Sequence, residues 1–473
     1  MANTRPDRIA ILGGGFSGVM TAVNLARLSP HSLHVTIIND HRPTGRGVAY
    51  GTRRAEHLLN VAARNMSAFP DLPDHLVQWL RTRCEFDEVR DADLRERFIP
   101  RMIYGDYLRS LMQHHFQDTG EMMPVQVEQV TGEAVDIGPE GTVHLASGRT
   151  VKARRIVLAT GNEAPADLPG AEMLGSHAAW VGNPWGNWDQ RLPATGGTIV
   201  LLGTGLTTVD AVISLRAVGW LGSIHAISRH GLLPHAHFRG IEYPDFPPAN
   251  VDLASLGLKD LITLIEHHCQ QLSRMGANPA IVVDRMRPHT QRIWQAFTVE
   301  EKLTFAREYA ARWNVLRHRI APEIHAQITS AQLASHLTVH AANIGRVEAL
   351  GAKVRVHLSG GKYLDGDLVV NATGPHTRFT ATRSVLLQNL LKRGLVAPDE
   401  MDMGARIDAD HTIIDARGNR SSLLLALGPL LRGTYWETVA VPELRIQARR
   451  VADTLLEQAS TITPVPVMME YMI

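Results

Sequence analysis

The same glycine-rich turn occurs twice in this chain, each time directly after a short apolar run. Gly13-Gly14-Gly15-Phe16-Ser17-Gly18 follows Arg8-Ile9-Ala10-Ile11-Leu12, and Gly203-Thr204-Gly205-Leu206-Thr207-Thr208 follows Thr198-Ile199-Val200-Leu201-Leu202. In a strand–turn–helix unit the first glycine permits the sharp turn. The second lets the backbone close on a pyrophosphate, and the third lets the helix pack against the strand. The helix N-terminus behind the turn offers free N–H groups and the positive end of its dipole to a phosphate. One copy alone also fits an ordinary βα turn. Here both copies are followed by helix-compatible segments, 19–28 and 209–215. Together they predict an α/β chain with two Rossmann-like dinucleotide-binding domains. Two dinucleotides in one protein point to a flavin reduced by a nicotinamide.

Composition narrows the alternatives. The 473 residues suffice for two to four domains. A net charge of +1 gives no reason to expect nucleic acid or an anionic membrane surface. The two cysteines, Cys84 and Cys269, form no CxxC, which argues against a disulfide scaffold, a structural zinc and a dithiol couple. The 23 histidines show no ligand spacing, so no metal is expected. No basic leader with an apolar core and no spanning apolar stretch is visible, and the cytoplasm is the expected location.

The first βαβ continues with a strand over 33–38, a loop Gly45-Arg46-Gly47-Val48-Ala49-Tyr50-Gly51 and a mostly helical stretch over 74–117. Strands over 125–130, 142–145 and 150–153 read as a meander leading to Ala159-Thr160-Gly161. A Pro/Gly/Trp-rich passage, 165–193, reads as a crossover. The second βαβ has its second strand over 224–227, and 253–328 reads as a helical insertion. A second meander, with strands over 354–358 and 367–370, ends at Ala372-Thr373-Gly374, and a final helix is expected over 442–458. The predicted division is an FAD-binding first segment over 1–165, an NAD(P)H-binding domain over 190–375 with its insertion at about 250–330, and a second FAD segment over 376–473.

The ends of the second strands carry the cofactor signals. The first pair ends in Asn39-Asp40, where a dinucleotide site usually has an acid for the ribose hydroxyls. Asn39 can bond a hydroxyl without the strength of a carboxylate. Ribose contact through Asn39 or Asp40 is expected, the alternative being that both serve a turn. The second pair ends in Ser228-Arg229-His230. An arginine here suits a 2′-phosphate, which favours NADPH, with NADH the alternative. Asp210 lies just inside the following helix and is read as a stabiliser of its positive end. In the insertion, Arg285, Arg287, Arg292, Arg312, Arg317 and Arg319 with His318 interleave with Trp294, Phe305, Tyr309 and Trp313. They read either as an anion-binding lid or as a solvated helix face. The sequence shows no nucleophile–base pair and no paired carboxylates, as suits a protein whose cofactor carries the difficult step.

Taken together these segments resemble a family. Gly45 to Gly51, His57-Leu58-Leu59-Asn60-Val61, Met66-Ser67-Ala68, Pro100-Arg101 with Tyr104-Gly105, Asn183-Pro184-Trp185, Ser228-Arg229-His230-Gly231, Trp313 with Arg317-His318-Arg319, Asn371 to Pro375, and Trp436-Glu437 with Pro442-Glu443 are similar to the bacterial FAD-NAD(P)-binding family that includes urate hydroxylase and aspartate N-hydroxylase. The resemblance implies a flavin monooxygenase acting through a C4a-hydroperoxide. It implies FAD contacts from Gly13, Gly15, Phe16, Ser17, Gly18, Val127, Thr160, Gly161 and Gly428, with Arg46 and Asn60 near the ribityl–isoalloxazine region. NADPH would lie on Gly203, Gly205, Leu206, Thr207, Ser228 and Arg229. Thr208, in place of the third glycine, is expected to loosen that grip. Catalytic candidates are Asn60, His318 and Arg319.

The leading expectation is an NAD(P)H-dependent FAD monooxygenase hydroxylating a small, anionic, nitrogen-containing compound, either a urate-like heterocycle or an amine or amino-acid nitrogen, with O2 as co-substrate. Alternatives are a two-dinucleotide reductase without oxygen insertion and a flavin-holding sensor without turnover. The sequence leaves the oligomeric state open.

Overall fold

The computed structural model describes residues 7–116, 125–238 and 242–457. The outer ends of the expected helices over 74–117 and 442–458 therefore lie outside the described residues, as do 1–6 and 458–473 of the expected domains.

Two parallel sheets organise the chain, each built around one glycine turn. In the first, the strand order is Thr412–Ile414, Arg420–Ala426, Arg155–Leu158, Asp7–Leu12, Leu33–Asn39, Val125–Thr131. All neighbours are parallel except the Thr412–Ile414 edge. In the second, the order is Leu337–Ala341, Ser223–Ser228, Thr198–Leu202, Leu368–Asn371, Trp180–Val181, parallel throughout. The central strands are apolar runs buried on both faces, as covered parallel sheets require: Ile9 to Leu12, Ile156 to Leu158 and Ile199 to Leu202 are all buried. In both sheets the strand before the glycine turn lies between the next strand of its βαβ and the strand leading to Ala-Thr-Gly.

Two strands depart from the sequence expectation. The segment at 125–130 is the edge of the first parallel sheet, paired with Leu33–Asn39, and not part of the meander. Likewise 367–370 belongs to the second parallel sheet as Leu368–Asn371. The meanders are the three-stranded sheets Ala134–Ile137, Thr142–Leu145, Thr150–Lys152 and Ile344–Leu350, Lys353–Leu358, Tyr363–Gly366. Local alternation cannot distinguish an edge strand of a parallel sheet from a meander strand, because both are exposed on one side.

The insertion between the strands Ser223–Ser228 and Leu337–Ala341 is helical, with Gly257–Arg274, Ala280–Met286, Thr290–Ala296, Val299–Thr304 and Ala310–Arg317. It has its own core, including Phe246, Leu261, Trp294 and Trp313, against which Trp436 of the carboxy-terminal segment packs. Thr298 and Glu301 form a capping box at one helix start. The last helix, Pro322–Leu333, serves the second sheet instead: Ile324, Ile328 and Ala331 join that sheet's core. The carboxy-terminal helix Val441–Leu455 lies along the first-turn helix Phe16–Leu28.

Candidate dinucleotide sites and the cleft between them

The first turn is tight where the sequence places glycine and open where a ligand must enter. Gly13 has φ 119°, and a Cβ there would lie 2.1 Å from the Ala159 carbonyl oxygen. A Cβ on Gly18 would lie 1.9 Å from the Gly13 carbonyl oxygen. On Gly15 the nearest atom would be Gly47 Cα at 3.9 Å, so its outer face is free. The helix Phe16–Leu28 starts at Gly15 with no side-chain cap, leaving its first N–H groups for an anion. Ser17 is buried beneath the turn, and a Cβ on Gly428 would lie 3.3 Å from its Oγ. Gly428, at φ 77°, donates its N–H to Gln447 Oε1 (2.8 Å) and accepts from Thr438 Oγ1 (2.9 Å). This backbone cradle fits a dinucleotide pyrophosphate. Phe16 is buried, Val127 is half-buried on the edge strand, and Thr160 and Gly161 stand at the strand end beside Gly13.

Asn39 and Asp40 are engaged within the turn. Asn39 Oδ1 accepts the Gly14 N–H at 2.9 Å, and its Nδ2 donates to the Arg42 carbonyl at 2.7 Å. Asp40 Oδ1 accepts the Arg42 N–H at 2.9 Å. Asn39 braces the glycine turn, lying against Gly14 itself: a Cβ on Gly14 would sit 2.7 Å from Asn39 Cγ. Arg46 is likewise engaged, with Asp106 and the Met102 carbonyl on the helix Arg101–Phe116.

The second turn repeats the plan with one substitution. Gly203 has φ 126°, and a Cβ there would lie 2.2 Å from the Ala372 carbonyl oxygen. Both Ala-Thr-Gly turns therefore abut the first glycine of a phosphate turn. Gly205 has nothing within 4 Å of a Cβ, and the helix Leu206–Ala217 starts without a side-chain cap. Thr208 is buried and donates its Oγ1 hydrogen to the Gly203 carbonyl at 2.8 Å. The expected loosening is thus opposed by a tether between the same two positions that touch in the first turn. The Ser228 hydroxyl accepts from Thr204 Oγ1 (2.8 Å) and from the Gly231 N–H (3.0 Å). Arg229 is exposed beside it, with no ion pair among the described residues.

A cleft of about 1560 Å³ joins the two units. Gly47, Asn60 and Arg101 line it from the first, Leu206, Thr207 and Asp210 from the second, and His318 and Arg319 from the insertion. Asn60 accepts from His237 Nε2 through its carbonyl at 2.7 Å. His318 is held neutral, its pKa pushed down to about 4 by burial and then by the Arg317 charge, with Glu437 opposing. Arg319 is paired with Asp284 at 2.6 and 2.7 Å.

Most arginines of the cluster are engaged within the protein. Arg317 meets both oxygens of buried Glu437 at 3.0 Å, and Trp313 Nε1 donates to Glu437 Oε1 at 3.2 Å. Arg287 lies 3.5 Å from Glu443, Arg292 pairs with Asp252, and Arg285 donates to the Phe246 carbonyl at 2.9 Å. Glu437 and Glu443 are remote in sequence, so spacing within the insertion cannot reveal these partners. The same is true of Asp210: it pairs with Arg101 across the cleft instead of merely facing its own helix end. Sequence reasoning also missed Arg54 with Asp189, and His57, which joins Thr52 Oγ1 (2.9 Å) to Ser214 Oγ (2.7 Å).

Comparison with known proteins agrees with this architecture. Residues 10–163 match the family model described as FAD-NAD(P)-binding. No curated protein matches by sequence. Among solved structures, the chain is similar to L-lysine 6-monooxygenase from Pseudomonas syringae, with TM-score 0.61, 16% identity and 96% and 99% of the two chains covered. It is similar to ornithine N-hydroxylase from Kutzneria sp. 744 (0.59, 16%, 96% and 99%). It is also similar to the cadaverine monooxygenase of desferrioxamine biosynthesis from Erwinia amylovora (0.58, 13%, 96% and 95%). At these identities the likeness establishes the shared two-unit fold. No described helix is long and apolar enough to cross a membrane.

Proposed function

We propose that this chain, whose residues 10–163 match the FAD-NAD(P)-binding family, is an NADPH-dependent FAD monooxygenase that hydroxylates a nitrogen-containing small molecule. The observation that carries the proposal is the cleft lined by Leu206 and Thr207 of the second glycine turn and by Gly47, which lies against Gly15 of the first. FAD would lie on the uncapped Gly13–Gly18 turn and extend toward Gly428. NADPH would lie on the Gly203–Thr208 turn, with Arg229 on its 2′-phosphate. When bound, a flavin accepts hydride and activates O2. The protein's part is to hold both dinucleotides in reach, orient the substrate and exclude water.

Ornithine, lysine and cadaverine are named as substrates of the proteins that share the fold over nearly its whole length. They favour an amine or amino-acid nitrogen over a urate-like ring. The cysteines support oxygen insertion over dithiol reduction: Cys84 is exposed and alone, and burial pushes the Cys269 thiol up to about 11.

The test is NADPH oxidation by FAD-loaded protein under labelled O2, with products identified by mass. Incorporation of one labelled oxygen atom into an amine, amino acid or urate supports the reading. NADPH oxidation that passes electrons to a quinone or protein, without label in any product, replaces it with the reductase.

A further inference from the structure

His237 stands on the cleft wall with one ring nitrogen committed and the other open. Its Nε2 lies 2.7 Å from the Asn60 carbonyl oxygen. A carbonyl can only accept, so in the neutral ring Nε2 carries the hydrogen and Nδ1 a bare lone pair. Nδ1 has no hydrogen-bond partner among the described residues, yet it is not one of the buried polar atoms left without a partner, so it is open to solvent. The opening at His237 is the cleft, which it lines together with Asn60, Phe98 and Arg319. The ring is held from two sides. The His237 N–H donates to the Ile320 carbonyl at 2.9 Å, and the Ile320 N–H donates to the His235 carbonyl at 2.9 Å. Phe98 of the first unit lies tilted against the imidazole, with 4.9 Å between ring centroids.

The ring is also neutral at ordinary pH. Burial, then the Arg319 charge, pushes its pKa down to about 4, with the Asn60 carbonyl and Asp284 opposing and Arg317 adding to the fall. The charges around it are already balanced, since Arg319 pairs with Asp284 and Arg317 with Glu437. At this point the cleft wall therefore offers an acceptor that carries no charge.

We propose that His237 Nδ1 accepts an N–H from the substrate's reacting nitrogen and so receives that nitrogen in its uncharged form. The inference rests on the cleft being the substrate site of the proposed monooxygenase. A carboxylate in this place would favour the ammonium form through its charge. An ammonium has no lone pair to offer, and hydroxylation at nitrogen requires one. An amine that donates its N–H to a neutral imidazole keeps its lone pair and turns it away from the wall. The substrate class is then a nitrogen that bears at least one hydrogen, which excludes tertiary amines. His237 is a positioning residue in this scheme, because a tautomer fixed by a backbone carbonyl sets the direction of the reacting atom.

The experiment uses FAD-loaded wild-type protein and the variants His237→Gln and His237→Asn. Glutamine places its amide near Nε2 and can keep the bond to Asn60, without an acceptor at Nδ1. Asparagine places an oxygen near Nδ1 and gives up the reach to Asn60. The probes are putrescine, cadaverine, L-ornithine, L-lysine, L-aspartate and urate, with N,N,N′,N′-tetramethylputrescine as the diamine that has no N–H. Binding is measured calorimetrically, products by mass under labelled O2, and flavin reduction by NADPH alone by stopped flow. At least one N–H probe should bind the wild type. H237Q should weaken that binding by about three- to tenfold and slow oxygenation by about 10- to 100-fold, whereas H237N should keep most of both. Tetramethylputrescine should not distinguish the three proteins. Should H237Q not retain FAD, H237N decides alone, and it must keep the wild-type affinity for the N–H probes. The proposal is overturned if no N–H probe binds more tightly to wild type than to H237Q, or if H237N loses as much as H237Q, which would leave the ring only its bond to Asn60. It is also overturned if H237Q slows flavin reduction without any amine present, which would assign the acceptor to the nicotinamide. Binding lost in H237Q, with no labelled product from wild type, retains the acceptor and removes the monooxygenase reading. Labelled product formed equally by all three proteins does the reverse.

Discussion

Arg101 and Asp210 form a two-armed ion pair across the cleft, with Nη1–Oδ2 at 2.5 Å and Nη2–Oδ1 at 3.1 Å. Arg101 begins the helix Arg101–Phe116 of the first unit and also donates to the Leu58 carbonyl at 2.9 Å. Asp210 lies in the first turns of the helix behind the second glycine turn. The pair thus ties the helix expected to carry NADPH to the wall of the expected flavin site. A small misplacement of two reacting groups can reduce a rate by as much as a hundredfold. Asp210→Asn is therefore expected to slow anaerobic flavin reduction by NADPH by about 10- to 100-fold while leaving the FAD content of the purified protein unchanged. Stopped-flow absorbance at the flavin band measures the rate, and an unchanged rate would show that other contacts set the approach.

The two turns should respond differently to a single methyl group. A Cβ at Gly18 meets the Gly13 carbonyl oxygen at 1.9 Å, and that backbone atom cannot yield without opening the turn. Gly18→Ala should purify largely without flavin. At the matching position Thr208 already fits, with its hydroxyl on the Gly203 carbonyl. Thr208→Val keeps the shape and removes that bond, a change worth about 1 kcal/mol. It should weaken NADPH binding severalfold and leave FAD untouched. Flavin-to-protein absorbance ratios and NADPH titrations check the two halves separately.

Much of this architecture is legible in the sequence because it is local. The glycine turns, the apolar strands behind them and the Ala-Thr-Gly turns are contiguous signals, and each copy supports the other. Sheet membership is not local. Val125–Thr131 and Leu368–Asn371 are strands whichever sheet they join, and only pairing with Leu33–Asn39 and Thr198–Leu202 decides. Side-chain partnership is less legible still. Nothing local in the sequence reveals that Asn39 lies against Gly14, or that Glu437, 120 positions away, is the partner of Arg317.

In the proposed function, cofactor preference turns on Arg229. It is exposed at the end of the strand Ser223–Ser228, while the neighbouring Ser228 hydroxyl is engaged inside the turn. Arg229→Ala should raise KM for NADPH by about 10- to 100-fold, the loss of a charge-assisted phosphate contact, with less than a threefold effect on NADH. Equal losses for both cofactors would remove Arg229 from the 2′-phosphate.

Acid should destabilise the fold through buried histidines. His411 is 4% exposed, and burial, with the Arg450 charge next, pushes its pKa down to about 4. His237 and His318 are also held at about 4. Between that value and the ordinary histidine value near 6.5 the unfolded chain binds protons that the folded chain refuses. Stability is therefore complete above about pH 6.5 and falls as pH drops toward 4, by roughly 2 kcal/mol at pH 5 for His411. His411→Asn suits the site because His411 has φ 69°, a conformation asparagine tolerates. Thermal melts at pH 7 and pH 5 should show a smaller acid-induced fall in Tm for this variant than for wild type.

Glu437 should matter more to the insertion than to either turn. It is 8% exposed, it accepts from Trp313 Nε1, and both its carboxylate oxygens accept from Arg317 Nε. Both lie in the insertion's helix Ala310–Arg317, Arg317 as its last residue, whereas Glu437 belongs to the carboxy-terminal segment. Truncation would leave the Arg317 guanidinium buried without its main counter-charge. Removing one partner of such a pair usually costs about 3–5 kcal/mol, more than the pair contributed when intact. Glu437→Ala should therefore lower stability by about that amount, with the insertion opening first under limited proteolysis while the flavin remains bound. Glu437→Gln, which keeps the hydrogen-bonding shape without the charge, should lose less. If both variants resist protease as wild type does, the insertion is held by its apolar core around Trp294, Phe305 and Trp436 alone.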